Sequence, residues 1–176
     1  MPFRRYFNYN TLAADVDWDN PASWIEAFRS RITVWWFEPF ADLPKTGHEA
    51  FPVLLSMAVV VRQLADLLVD DVTYGDTSYV EMLQKIDPSF DEDSAMTFYE
   101  DVYHSLIENV RIANGSGMSG TGRGPTRTDD GTMVFDPWVF RDRLVDWFGL
   151  FCHRLRASPD APETLRVRDR LRVEYG

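Results

Sequence analysis

A single cysteine, Cys152, and only two lysines, Lys45 and Lys85, stand in the whole chain. One cysteine forms no internal disulfide and makes no thiolate zinc cage. Together with an opening, MPFRRYFNYN, that has two arginines but no apolar stretch after them, it sets the expectation of a reducing, cytoplasmic setting. Long hydrophobic runs are scarce as well. The longest, Ala50 to Val61, is interrupted by Pro52 and Ser56 and stops at Arg62 and Gln63, short of the roughly 20 residues that cross a bilayer, so no membrane span is expected. Histidine is limited to His48, His104 and His153, with no metal-ligand spacing among them. Neither Cys152 nor any serine has a nucleophile motif around it, no internal repeat is visible, and nothing points to an organic cofactor.

What the chain has in quantity is apolar and aromatic side chains. Of its 176 residues 45% are hydrophobic, with six Trp, twelve Phe and seven Tyr, so it can bury a continuous core despite a net charge of -10. One domain, 1–176, is the expectation for this length, with a helical core over about 20–157 and a basic segment at 159–176. Charge is uneven: residues 1–110 hold 19 acids against 7 bases, and residues 111–176 hold 9 against 11. An acidic whole disfavours sequence-blind binding to nucleic acid, which leaves RNA the less favoured partner.

Asn20-Pro21 reads as a cap followed by proline at the first helical position, and Trp24, Phe28, Ile32 and Trp35 then recur at helical spacing up to Pro39. Thr46 with Glu49 suggests a capping box, but Pro52 moves the expected start of the next helix to about His48. Phe51 to Val69 is apolar on nearly all sides, the pattern of a central helix. Residues 70–78 read as a polar connection, and YVEMLQKI as a short helix. A long helix is expected from about Asp91 to Asn114, with Phe98, Val102, Leu106 and Val110 on its core side. The Gly-rich stretch that follows, ending in DDG, reads as a loop or small β-hairpin. Asp136-Pro137 then opens the last long helix, with Val139, Leu144, Trp147, Phe148, Phe151 and Leu155 inward. The Trp35-Trp36-Phe37 cluster, Trp138 and Trp147 are assigned to the core. ETLRVRDRLRVEYG is helix or strand; as a strand it would set Arg166, Arg168, Arg170 and Arg172 on one face. The expected fold is all-α: an antiparallel bundle of four to five helices.

On the third long helix, at 100° per residue, Glu100, His104, Glu108 and Arg111 fall within an arc of about 80°, neighbours in it no more than about 40° apart. Cleaving RNA without a metal needs a base for the 2′-hydroxyl and a cation for the phosphate, so His104 could be the base, Arg111 the clamp and Glu108 the group that orients either. The same residues at i,i+3 and i,i+4 also make ordinary surface pairs. Tyr103 and Asn109 beside them are candidate binding residues. In GTGRGPTR, Arg123 and Arg127 could reach a phosphate, although the stretch has neither the lysine nor the spacing of a P-loop and serves equally as a connector.

An apolar central helix, a helix bearing the polar stretch DVYHSLIENVRI, a Gly-rich loop and an Asp-Pro helix start together resemble the HEPN superfamily, the higher eukaryotes and prokaryotes nucleotide-binding domains. Many of its members carry Arg, four to six residues, then His on this helix and cut RNA across a dimer without a metal. Here Tyr103 stands where that Arg would be and Glu108 where that His would be. The resemblance implies a helical fold and a homodimer, and a non-catalytic module that works through dimerisation or a protein partner in prokaryotic defence or toxin-antitoxin biology. A divergent ribonuclease built on His104 and Arg111 and a purely structural helical protein are the alternatives.

Overall fold

The computed structural model describes Phe7 and residues 11–45, 47–68, 76–109, 111–113, 115–120 and 122–175. They are mostly helical, with one small sheet. The chain divides into two compact units: Leu43–Asp146, and a second made of Met1–Asp42 with Trp147–Gly176.

In the discontinuous unit, α1 (Pro21–Ile32) starts as its sequence dictates. The Asn20 side chain accepts from Ala22 N at 3.0 Å, and Pro21 takes the first position. Trp24, Phe28 and Ile32 are buried along one face. The expected helix continues past Ile32, but as a wider π turn over Thr33–Phe37 and a tight 3-10 turn over Glu38–Phe40 that contains Pro39. The wider turn changes the directions of its own residues, and Phe37 at its end points inward, edge-on to Phe148 at 5.8 Å. Trp35, assigned to the core on α-helical spacing, instead lies 40% exposed with the Arg31 guanidinium 4.6 Å from its ring. Arg31 also lies over Tyr175 at 4.4 Å and donates to the Phe7 carbonyl.

The basic C-terminal segment is helical. Val167 and Leu171, four apart, are buried, while Val173 is 88% exposed. A strand would have placed all three on one side; helical spacing sends Val173 outward, and the arginines spread over the remaining surface.

In the continuous unit, α2 (Gly47–Leu68) is the central apolar helix, with Val53, Leu54, Met57, Ala58, Val61 and Leu64 buried. By length and composition His48–Leu68 could cross a membrane, at mean hydropathy 1.7, but a core helix of this kind meets the same test. The Thr46 capping box and the connection at 69–75 lie outside the described residues. Helix α3 (Asp76–Ile86) begins three residues before the expected YVEMLQKI, with Asp76 accepting from Thr77 N at 2.8 Å.

The expected helix 91–114 is shorter and composite. It comprises α4 (Glu92–Thr97), a seven-residue π segment Phe98–His104 and α5 (Ser105–Asn109). Phe98, Val102 and Leu106 face the core as expected; Val110 lies outside the described residues. Beyond Asn109 the backbone turns back: Ala113 N donates to Asp101 O at 2.9 Å, and Ser116 Oγ to the buried Asp101 carboxylate at 2.7 Å.

The glycine-rich stretch holds β1 (Gly117–Met118), β2 (Thr126–Arg127) and β3 (Met133–Phe135) in the order β1-β3-β2. Strands β2 and β3 form the antiparallel hairpin that DDG suggested. Gly131 has φ of +88° in its turn, where a side chain would be strained. Strand β1 adds in parallel on the other side of β3. Helix α6 (Pro137–Ala157) follows, its N-terminus capped by Asp136, which accepts from Trp138 N at 3.0 Å and Val139 N at 3.1 Å.

Candidate functional site

The π segment sets the geometry of the suspected site. Its extra width brings residues five apart close together, and the Tyr99 ring lies 6.2 Å from His104 at i,i+5. Tyr99 also stacks on Tyr103 at 5.7 Å with 25° between planes. Both rest on Tyr79, which is fully buried, with ring centroids at 5.3 and 4.8 Å. The Tyr79 hydroxyl donates to the Ala58 carbonyl at 3.2 Å, and burial raises its pKa well above the ordinary phenol value. Tyr103 is half-buried, and partial burial raises its phenol as well, with Arg62 opposing the shift.

On the outer side of this base, His104 Nε2 meets Glu108 at 3.3 Å, with the two side chains 52% and 56% exposed. Ile107 is 53% exposed between them, Glu100 is exposed one turn before, and Asn109 is exposed where the helix ends. Tyr103, His104, Glu108 and Asn109 therefore stand together on one short helical stretch.

Arg111 does not join them on the helix. It lies beyond Asn109 in an exposed bend, because the chain has already turned to bind Asp101. Among the described residues no ion pair links Arg111 to His104 or Glu108. The 100° rule that gathered Glu100, His104, Glu108 and Arg111 holds for His104 and Glu108 and fails for Arg111, because the helix does not extend to it.

The two loop arginines part company. Arg127 forms an ion pair with Asp93 at the start of α4 and donates to Gly131 O at 2.8 Å, which ties the hairpin down. Arg123 is exposed in the loop before β2. No protein-family model, curated protein or solved structure matches this chain. Its chemistry is therefore read from these side chains alone.

Two buried carboxylates escaped the sequence reading. Asp101 anchors the chain reversal described above. Asp87 Oδ1 accepts from Ser89 N at 2.9 Å, from Ser89 Oγ at 2.7 Å and from the Arg143 guanidinium, whose Nη1 also lies 2.6 Å from Ser89 Oγ. Asp87 Oδ2 is buried without a hydrogen-bond partner in the structure, and the residue borders a cavity of about 10 Å³ shared with Phe90, Gly124, Phe135 and Asp136. The local signal at Asp87 is the Asp-Pro pair after α3, which marks a helix end and not an anchor. Among the described residues no group of three or more His, Cys, Asp and Glu is placed to hold a metal ion.

Cys152 is buried, and loss of solvation pushes its thiol up to about 12. A nucleophile needs the thiolate, and burial opposes its formation here.

Proposed function

We propose that the chain is a non-catalytic helical module of the HEPN-like kind, its helices arranged as an antiparallel bundle. It would act in the cytoplasm by pairing with a second copy or a protein partner, in prokaryotic defence or toxin-antitoxin biology. The observation that carries this reading is that Arg111 stands past the end of the helix that bears His104. Metal-free cleavage needs a base and a cation held rigidly about one phosphate, whereas here His104 is engaged by Glu108 within its own helix and Arg111 stands past the helix end. An exposed isoleucine on that helix, Ile107, is the kind of side chain a protein surface covers.

The test has two arms. Light scattering on the purified chain, alone and with a partner from its own genomic neighbourhood, should give the mass of a dimer or a defined complex. RNA incubated with it in excess chelator should stay intact. If wild type cuts RNA and a His104→Ala plus Arg111→Ala variant does not, the module is a rearranged ribonuclease and the proposal fails.

A further inference from the structure

Charge separates by unit. Residues 43–146 contain 18 acids and 8 bases and so carry the whole net charge of -10, while the discontinuous unit is balanced at 10 and 10. The Tyr99–Tyr103 stack lies on this acidic unit and is backed by the rigid, buried Tyr79. Exposed carboxylates flank it at Glu100 and Glu108, and Ile107 stands 53% exposed beside it. Aromatic faces beside carboxylates attract a guanidinium or ammonium, and an exposed apolar side chain adds contact area for a neighbouring methylene stem. Phosphate chains are repelled by the same charge.

We infer that the surface formed by Tyr99, Glu100, Tyr103, His104, Ile107 and Glu108 is the docking site for an arginine-bearing, amphipathic segment of a partner protein. This rests on the proposal above that the chain works through a partner, and it assigns the face and the chemistry of that contact. The partner's guanidinium lies against the Tyr99 and Tyr103 rings and pairs with Glu100, while its apolar side covers Ile107. Arg62, whose charge acts on Tyr103, is paired with Asp66 at 2.6 Å, and Glu108 is engaged by His104 at 3.3 Å, which leaves Glu100 as the principal acceptor.

The probes are a short synthetic peptide of alternating arginine and leucine, the same peptide with glutamate for arginine, and a single-stranded RNA of matching length. Each is titrated into the full chain at physiological salt while amide and isoleucine-methyl NMR shifts are followed. The arginine peptide should move Tyr99, Tyr103 and Ile107 signals, and the glutamate peptide and RNA should not. Glu100→Gln combined with Ile107→Ser, both exposed and outside the core, should weaken the arginine peptide about tenfold. Glu81→Gln, the same kind of charge change on an exposed position of α3, should leave binding unchanged.

Equal loss from Glu81→Gln would reduce the effect to overall charge and overturn the site. Shifts gathered on another face, or equal binding of both peptides, would overturn it too, as would RNA moving these residues where the arginine peptide does not. A dimer or defined complex that forms while this face stays silent sinks the site alone; RNA cleavage sinks the parent proposal.

Discussion

A methyl group on Gly124 would sit 2.5 Å from Ser89 Oγ and 3.1 Å from the Arg143 guanidinium, so this glycine is needed where the loop closes on the Asp87 cluster. Gly124→Ala should therefore cost about 1–3 kcal/mol of stability, measured by urea unfolding. Removing Arg143 leaves the Asp87 carboxylate, 2% exposed, without its counter-charge. Because Arg143 is itself 39% exposed and solvent screens part of the interaction, Arg143→Ala should cost about 2 kcal/mol, less than a fully buried pair. Tyr79 makes a pH prediction. Its folded pKa is raised, so the unfolded chain releases the phenol proton first; stability is intact below about pH 10 and falls as pH rises beyond it. Tyr79→Phe should move the alkaline unfolding midpoint upward while losing about 1 kcal/mol at neutral pH with the hydrogen bond to Ala58. Cys152, with its thiol pushed up to about 12, should resist a thiol reagent in the native protein at neutral pH and react promptly once unfolded.

At the scale of elements, the reversal after α5 depends on one buried side chain. Asp101→Ala removes the acceptor of Ser116 Oγ and should cost about 1–3 kcal/mol, with amide exchange rising first over 111–118. This dependence also explains what the sequence could and could not reveal. Helix starts were legible because Asn20-Pro21 and Asp136-Pro137 are short-range chemistry, and both side chains cap as their types require. Phe98, Val102 and Leu106 were legible because a four-residue step keeps its side through an α or a π turn. The π segments were not legible. Nothing in TVWWF or FYEDVYH forbids an ordinary α turn, and the ring contacts of Phe37 with Phe148 and of Phe98 with Tyr79 join residues far apart in sequence. Hence Trp35 and Arg111 fell on the wrong sides of their expected boundaries, while His104 and Glu108, four apart within one helix, came together as spacing demands. The Asp87 cluster was hidden because it joins positions 56 residues apart, beyond the reach of any local pattern.

For the whole molecule, concentration of the net charge in residues 43–146 predicts self-repulsion that salt relieves. Raising ionic strength from about 0.01 M to about 0.15 M shortens the screening length from about 30 Å to about 8 Å. The melting temperature should rise by a few degrees, followed by calorimetry or circular dichroism; a fall would mean that the exposed ion pairs outweigh the repulsion. The division of the chain has a further consequence, in time. Leu43–Asp146 is continuous, so all of it is made before Trp147 is added, and its earlier part can begin to collapse while the chain is still growing. The other unit joins Met1–Asp42 to Trp147–Gly176, and the arginine clasp that brings Phe7 and Tyr175 to Arg31 cannot close until Tyr175 is made. The discontinuous unit, α1 included, can therefore be completed only after everything between its two segments has been made.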